Sequence, residues 1–346
     1  MVKLGSIQLL VTFLTVAIGS CGVTNHAIRN TPLSTTSADC RTIEHQMGKA
    51  EVCGQPKNIV VLGPNLLELV LALGIQPAGF ADHMAFHQGD YDNPQQQIPY
   101  IGDRITSQPI NVGLTYTPSL EAIVRVQPDL ILGTTRMNKS QYEQLSQVAP
   151  TLLFEWFDTE TNLRAIAQAV NQPQRAEQLL AESQQLIETA RKALAPVVST
   201  HPRVLMMTSG DGQELNLLVA ENNFCGSLVS ELGFQLVYPP EIDKNTLRSS
   251  TLPISVETLP RFNNADLVIL LGYNWDTRQF TDMKAFDDHQ LNNLKQGWKK
   301  NAIAQSLDAS QVGRVYFIPA YMCLGLPGPI GTKLYIEELQ KLLLSN

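Results

Sequence analysis

One stretch limits what this chain can fold into more than any other: Pro173 to Leu194, PQRAEQLLAESQQLIETARKAL. It holds no Gly, and its only Pro stands at its start. Ala, Leu, Gln, Glu, Lys and Arg fill most of it, and these residue types lose least on entering a helix. Leu179, Leu180, Leu186, Ile187 and Leu194 recur near helical spacing, which gives one apolar stripe on a polar surface. At a rise of roughly 1.5 Å per residue, such a helix reaches about 33 Å, enough to join two compact lobes. Its flanks say what those lobes are made of. NIVVL and PDLILG come before it, and RVLMMTSG, ADLVILLG and RVYFIP after it, all short strand-like runs bounded by turn residues. The order is therefore α/β, long helix, α/β, with mostly parallel sheets.

Length supports two lobes, since 346 residues exceed what one hydrophobic core usually serves. A formal net charge of -7, with no lysine-rich or arginine-rich run, argues against a nucleic-acid partner. At the N-terminus Lys3 precedes a largely apolar segment, Leu9 to Ile18, and then Ile18-Gly19-Ser20-Cys21. The apolar segment is shorter than the roughly 20 residues of a spanning helix. The pattern resembles a bacterial lipoprotein signal, which implies cleavage after residue 20 and lipidation of Cys21. Residues 21–39, rich in Asn, Thr, Ser and Pro, then form a flexible tether outside the cytoplasm, anchored to the membrane through lipid.

In that compartment, four of the five cysteines are left for disulfides. Cys40 and Cys53 flank TIEHQMGKAEV, whose Met47-Gly48-Lys49 centre reads as a hairpin turn, so the two can face each other across strands. Cys225 and Cys323 each lie close to an expected strand-to-helix connection, and they pair or stay as buried thiols.

The first lobe is expected over residues 40–160, the linking region over 161–195 and the second lobe over 196–346. Within the first, Asn58 to Leu62 reads as a strand, and Gly63-Pro64-Asn65 turns into the helix LLELVLALG. Gln76 to Phe80 and Tyr100 to Gly102 read as further strands, the latter ending at Asp103-Arg104. Pro118 to Gln127 reads as a helix and Leu130 to Leu132 as a strand. Ligand clefts in such sheets open at the carboxyl ends of the strands.

QPKNIVVLGPNLLELVLALGIQPAGFAD, PSLEAIVRVQPDLILG, the lone long helix and ISVETLPRFNNADLVIL together resemble the substrate-binding lipoproteins of iron-siderophore and cobalamin ABC importers. The similarity runs from about residue 40 to the end, with the pieces in the family's order, and HQMGKAEVCGQPKNIVVL resembles the N-terminal hairpin of the siderophore branch. The resemblance implies a class III periplasmic-binding-protein fold: two rigid Rossmann-like lobes, a helix between them, a shallow cleft and little closure on binding. It also implies a monomer that docks on an ABC permease dimer through a Glu on each lobe. The matching motifs, SLEAIV and SVETLP, place these at Glu121 and Glu257, where a carboxylate also suits the start of a helix.

The cargo implied is a ferric siderophore, large, often anionic and rich in oxygen, for which Arg forks and aromatic faces are natural grips. Arg104 in YIGDR comes first, because IGDR resembles the VGxR segment of hydroxamate-siderophore binders. Arg136 in LGTTR is a second strand-end candidate. The second lobe offers Tyr273, Trp275 and Arg278 after ADLVILLG, Tyr321 after RVYFIPA, and Arg248 ahead of ISVETL. Haem or cobalamin on the same scaffold is the alternative cargo. A metal-binding protein or α/β enzyme is a third reading, resting on His83 and His87 in HMAFH. These have the spacing of a zinc pair but lack the Glu of HExxH and a third ligand nearby. MTSGDGQ lacks the order of a nucleophile elbow, and GLPGPIGTK lacks that of a phosphate loop. The expectation is a binding protein with no catalytic residue, resident metal or cofactor, its iron held by the siderophore.

Overall fold

The linking helix spans Pro173–Thr200 in the computed structural model, which describes residues 39–219, 224–239, 249–276 and 282–345. It runs past Leu194 because Pro196 is accommodated near its end, where the hydroxyls of Ser199 and Thr200 donate to the Pro196 carbonyl at 2.8 and 3.2 Å. Its apolar stripe is divided between two cores. Ala176 and Leu179 pack in the first lobe, and Ala190 and Leu194 in the second.

The chain opens with a hairpin, β1 (Cys40–His45) and β2 (Gly48–Cys53), which sets Cys40 directly opposite Cys53. The first-lobe sheet follows: β3 (Ile59–Leu62), β4 (Gly79–Asp82), β5 (Ile110–Leu114), β6 (Thr117–Pro118), β7 (Leu130–Thr134) and β8 (Thr151–Phe154). Its order is β6-β5-β4-β3-β7-β8, parallel except at β6. The second-lobe sheet holds β9 (Arg203–Ser209), β10 (Leu215–Leu218), β11 (Gln235–Leu236), β12 (Thr251–Ile254), β13 (Leu267–Gly272) and β14 (Val315–Pro319). Its order is β12-β10-β9-β13-β14, with β11 also on β9. The central strands of both sheets are buried on both faces, as their unbroken apolar runs require.

Two strands differ from expectation. The segment expected at Gln76 to Phe80 forms its strand later, at Gly79–Asp82. Tyr100 to Gly102 is no strand: Tyr100 takes φ 62, and Gly102–Arg104 winds into a 3-10 turn. Ile98 and Ile101 are both fully buried three residues apart, which suits a turn packed on the core. A Cβ on Gly102 would lie 2.0 Å from the Pro94 carbonyl oxygen, so only Gly lets this turn seat against its neighbour. The strand of that position is β5 instead.

Candidate binding cleft

Between the lobes lies a cleft of about 510 Å³. The first lobe contributes residues that follow its strands: His83 after β4, Tyr116 after β5, Arg136 and Met137 after β7, and Trp156 and Phe157 after β8. The second lobe contributes Tyr273, Asn274 and Trp275 after β13, Ala320 and Tyr321 after β14, and Asn216, Ser250 and Thr251 from the β10–β12 side. A cleft so placed follows from the parallel strands of each sheet, which end on one edge, while β10, antiparallel to its neighbours, adds Asn216 from within the strand.

The lining is aromatic and carries no Asp or Glu among the described residues. Arg136 is exposed and has no ion-pair partner among them. Trp275, at 61% exposure, Tyr116 at 49% and Phe157 at 37% stand at the mouth. Trp275 packs against Tyr273 at a centroid distance of 5.2 Å. Tyr321 forms the floor, 5% exposed, with its ring 5.1 Å from that of His83 and 5.6 Å from that of Phe286. Burial is the main reason its hydroxyl is held well above the ordinary tyrosine range, helped by the nearby Asp82 carboxylate.

His83 is oriented from below. The Asp82 carboxylate, 3% exposed, accepts the His83 backbone N–H at 2.7 Å and contacts Nδ1 at 2.8 Å, and the Tyr321 hydroxyl reaches it at 3.5 Å. Nδ1 is engaged by this contact, and Nε2 has no hydrogen-bond partner among the described residues. His87 does not join it: the segment from 83 to 87 is not helical, and His87 Nε2 is 3.0 Å from the Asp90 carbonyl. Helical spacing thus places no zinc pair here.

Of the expected grips, Arg136, Tyr273, Trp275 and Tyr321 come together in this cleft. Arg104 does not line it. Because Tyr100 to Gly102 forms no strand, Arg104 ends an exposed 3-10 turn, where its backbone carbonyl accepts from Gln76 Nε2 at 3.1 Å. Arg248, Arg278 and Cys21 lie outside the described residues. Glu121 is exposed in the first turn of the Leu120–Val126 helix, which Ser119 caps. Glu257 is exposed in the first turn of a 3-10 helix, Val256–Phe262, where the Ser255 hydroxyl holds its carboxyl below the usual range. Both cysteine pairs form disulfides, Cys40–Cys53 and Cys225–Cys323.

Sequence reasoning missed Trp156 and Phe157, although EWF directly follows a strand, and it missed His83 as a cleft residue. It also missed Glu68. This residue lies in the Pro64–Ala72 helix among Leu66, Leu67, Leu69 and Val70, is fully buried, and accepts backbone N–H groups from Gly328 and from Gly331, the latter at 2.9 Å. A lone charge in a helix that is otherwise apolar but for Asn65 was the available signal. Burial pushes its carboxyl up to about 8, against the pull of the Gly331, Gly328 and Ile330 N–H groups. Around it the lobes meet in one shared core, where Phe286, Leu326 and Ile330 of the second lobe pack with Leu66, Leu69 and Phe86 of the first.

Two α/β lobes, a single joining helix and a cleft at the strand ends define a solute-binding architecture. Residues 59–322 match the periplasmic binding protein family, and the chain belongs to it. It is 31% identical over 208 residues to the probable siderophore-binding lipoprotein YfiY of Bacillus subtilis (strain 168), a match that spans 58% of each chain. It is 27% identical over 308 residues to the putative ABC transporter substrate-binding lipoprotein YhfQ of the same organism, covering 86% of this chain and 87% of that one. Among solved structures, Staphylococcus aureus SirA complexed with staphyloferrin B superposes with a TM-score of 0.68 at 22% identity, over 88% of this chain and 98% of that one. Bacillus subtilis FeuA complexed with ferri-bacillibactin gives 0.65 at 19% identity, over 88% and 99%. At such identities the structural likeness speaks for the fold.

Proposed function

We propose that this chain is an extracytoplasmic substrate-binding lipoprotein that captures a ferric siderophore and delivers it to an ABC importer. One observation carries the reading. In a chain of net charge -7, the interlobe cleft is lined by aromatic rings, Arg136 and His83, with no carboxylate among the described lining residues. That surface suits a large complex with oxygen-rich anionic edges and apolar faces. The names of the relatives support it: YfiY is described as siderophore-binding and YhfQ as an ABC transporter substrate-binding lipoprotein.

In this account Arg136 takes the part expected of Arg104, and Tyr273, Trp275 and Tyr321 supply aromatic contacts. The siderophore keeps the iron. Cys21 carries the lipid anchor at the end of the 21–39 tether, the lobes are 40–160 and 196–346 with 161–195 between them, and the monomer docks on a permease dimer through Glu121 and Glu257. A second cargo, haem, is favoured by one observation, His83 Nε2 left open by the Asp82 contact. Titration of the purified protein with ferric siderophores, haem and cobalamin, read by tryptophan fluorescence, separates these. Saturable quenching by a ferric siderophore is expected. Saturation by haem alone, with a shifted Soret band, replaces this reading with the second.

A further inference from the structure

The second-lobe wall of the cleft is fastened by the first lobe. Ala320, Tyr321, Leu324 and Gly325 line the cleft, and most of them belong to one short π-helical turn, Tyr321–Gly325, that leads to the final helix, Pro329–Leu344. Three first-lobe side chains hold this passage. Trp156 Nε1 donates to the Leu324 carbonyl at 2.9 Å, and Thr159 Oγ1 donates to the Pro327 carbonyl at 3.0 Å. Glu68 accepts from Gly328 and Gly331 with its two oxygens, one each.

The first two are exchangeable for water near the cleft, whereas Glu68 is fully buried. The final helix begins at a glycine with no side-chain cap of its own, so its free N–H groups depend on the two oxygens of a carboxyl group sent from the other lobe. Gly328 is needed for that approach, and Gly331 for the tight passage beneath Leu326. A Cβ on Gly328 would lie 2.6 Å from Leu69 Cδ2 and 2.8 Å from Glu68 Cδ, and one on Gly331 would lie 1.6 Å from the Leu326 carbonyl oxygen.

We propose that Glu68 is a positioning residue for cargo binding, which sets the Tyr321–Gly325 wall by capping the final helix from the opposite lobe. The inference rests on the ferric-siderophore reading for the identity of the cargo and on the structure for the clasp. A Gln at this position keeps the shape but has one acceptor oxygen, and its NH2 group would confront the second backbone N–H.

The test uses Glu68→Gln, and Gly328→Ala as a second variant that presses on the same contact from the other side. Leu145→Ala, in a core cluster none of whose residues lines the cleft, serves as a control for general loss of stability. Binding of the ferric siderophore that the parent takes up should weaken roughly five- to thirty-fold in both clasp variants, and not in the control. The visible circular dichroism of the bound ferric complex should change, because the wall that orients it has moved. Without cargo, the amides from Gly328 to Thr332 should exchange faster in Glu68→Gln than in the parent. Parental affinity and an unchanged dichroism band in both clasp variants would overturn the proposal. If the parent binds no ferric siderophore, the cargo part falls with the functional reading. The exchange experiment then decides the clasp by itself, and equal exchange in parent and variant would overturn it.

Discussion

At the seam around Glu68 everything is shut away, and at the cleft mouth it is not. Glu68, Leu326 and Phe286 are 0% exposed, whereas Trp275 is 61% and Tyr116 49% exposed. Both regions are made where the lobes face each other, but the seam has its partners inside the protein and the cleft has not. A seam packed as a core resists the lobes' swinging together. The aromatic mouth must then be covered by what binds there rather than by closure of the protein on itself. This contrast explains how a rigid two-lobed protein can leave large rings in water: they are the unpartnered half of an interface.

The largest way to break the contrast is to loosen the second lobe behind the wall. The Cys225–Cys323 disulfide bridges residues 98 apart, against 13 for Cys40–Cys53. In the chain-entropy account, the longer loop is worth about 4 to 5 kcal/mol and the shorter about 3. Cys225→Ser/Cys323→Ser should therefore lower the denaturation midpoint more than Cys40→Ser/Cys53→Ser, by chemical denaturation in oxidising buffer. An equal or reversed order would mean that the unfolded chain is not what these bonds constrain.

A smaller effect, on the order of a few kcal/mol, is expected from pH at the seam. The Glu68 carboxyl is raised from 4.5 to about 8 by burial, so the folded state holds this proton more tightly than the unfolded chain. Its contribution is complete below the unfolded value and is lost as pH rises through about 8. Thermal stability of the parent should fall between about pH 5 and 8 more steeply than that of Glu68→Gln, whose amide does not titrate, and level off above that. Parallel profiles would place the titration elsewhere.

At the cleft, Arg136→Ala should weaken binding of the ferric siderophore roughly ten- to a hundred-fold, the worth of one charge-assisted hydrogen bond of about 1.5 to 3 kcal/mol. Arg136→Lys should recover only part, for want of the planar fork. Arg104→Ala, outside the lining, should bind as the parent does. The reverse ranking would restore the turn at Gly102–Arg104 as a binding element. The smallest effect belongs to the docking pair. An exposed charge pair contributes little by itself, so the double variant Glu121→Ala/Glu257→Ala should leave cargo affinity unchanged and lower stimulation of the reconstituted importer. A loss of cargo affinity would move them into the cleft.

Much of the fold could be read from the chain because its signals are local. The long helix shows in unbroken propensity and one apolar stripe, the β-branched runs show as strands, and the hairpin brings Cys40 to Cys53 by register alone. The site was harder, because a cleft is a property of two lobes at once. YIGDR has the composition of a strand end, and only packing of Ile98 and Ile101 turns it into a helical turn that carries Arg104 away. Arg136, Tyr273, Trp275 and Tyr321 were legible because each follows a strand whose end is marked. His83 lacked any such mark, since its meaning depends on Asp82 beneath it and Tyr321 from the other lobe. Glu68 could be read as a lone charge in an apolar helix, but what it does shows only with its partners, about 260 residues further on, in place.

The central claim is that a ferric siderophore fills an open cleft while the seam stays shut. Amide exchange of the free and the ferric-siderophore-loaded protein, compared peptide by peptide, tests it most directly. The account predicts new protection at Tyr116, Arg136–Met137, Trp156–Phe157 and Tyr273–Trp275, with no change in the already protected Gly328–Thr332 amides. Protection that appears chiefly at the seam, or none at the cleft in saturated protein, would contradict it.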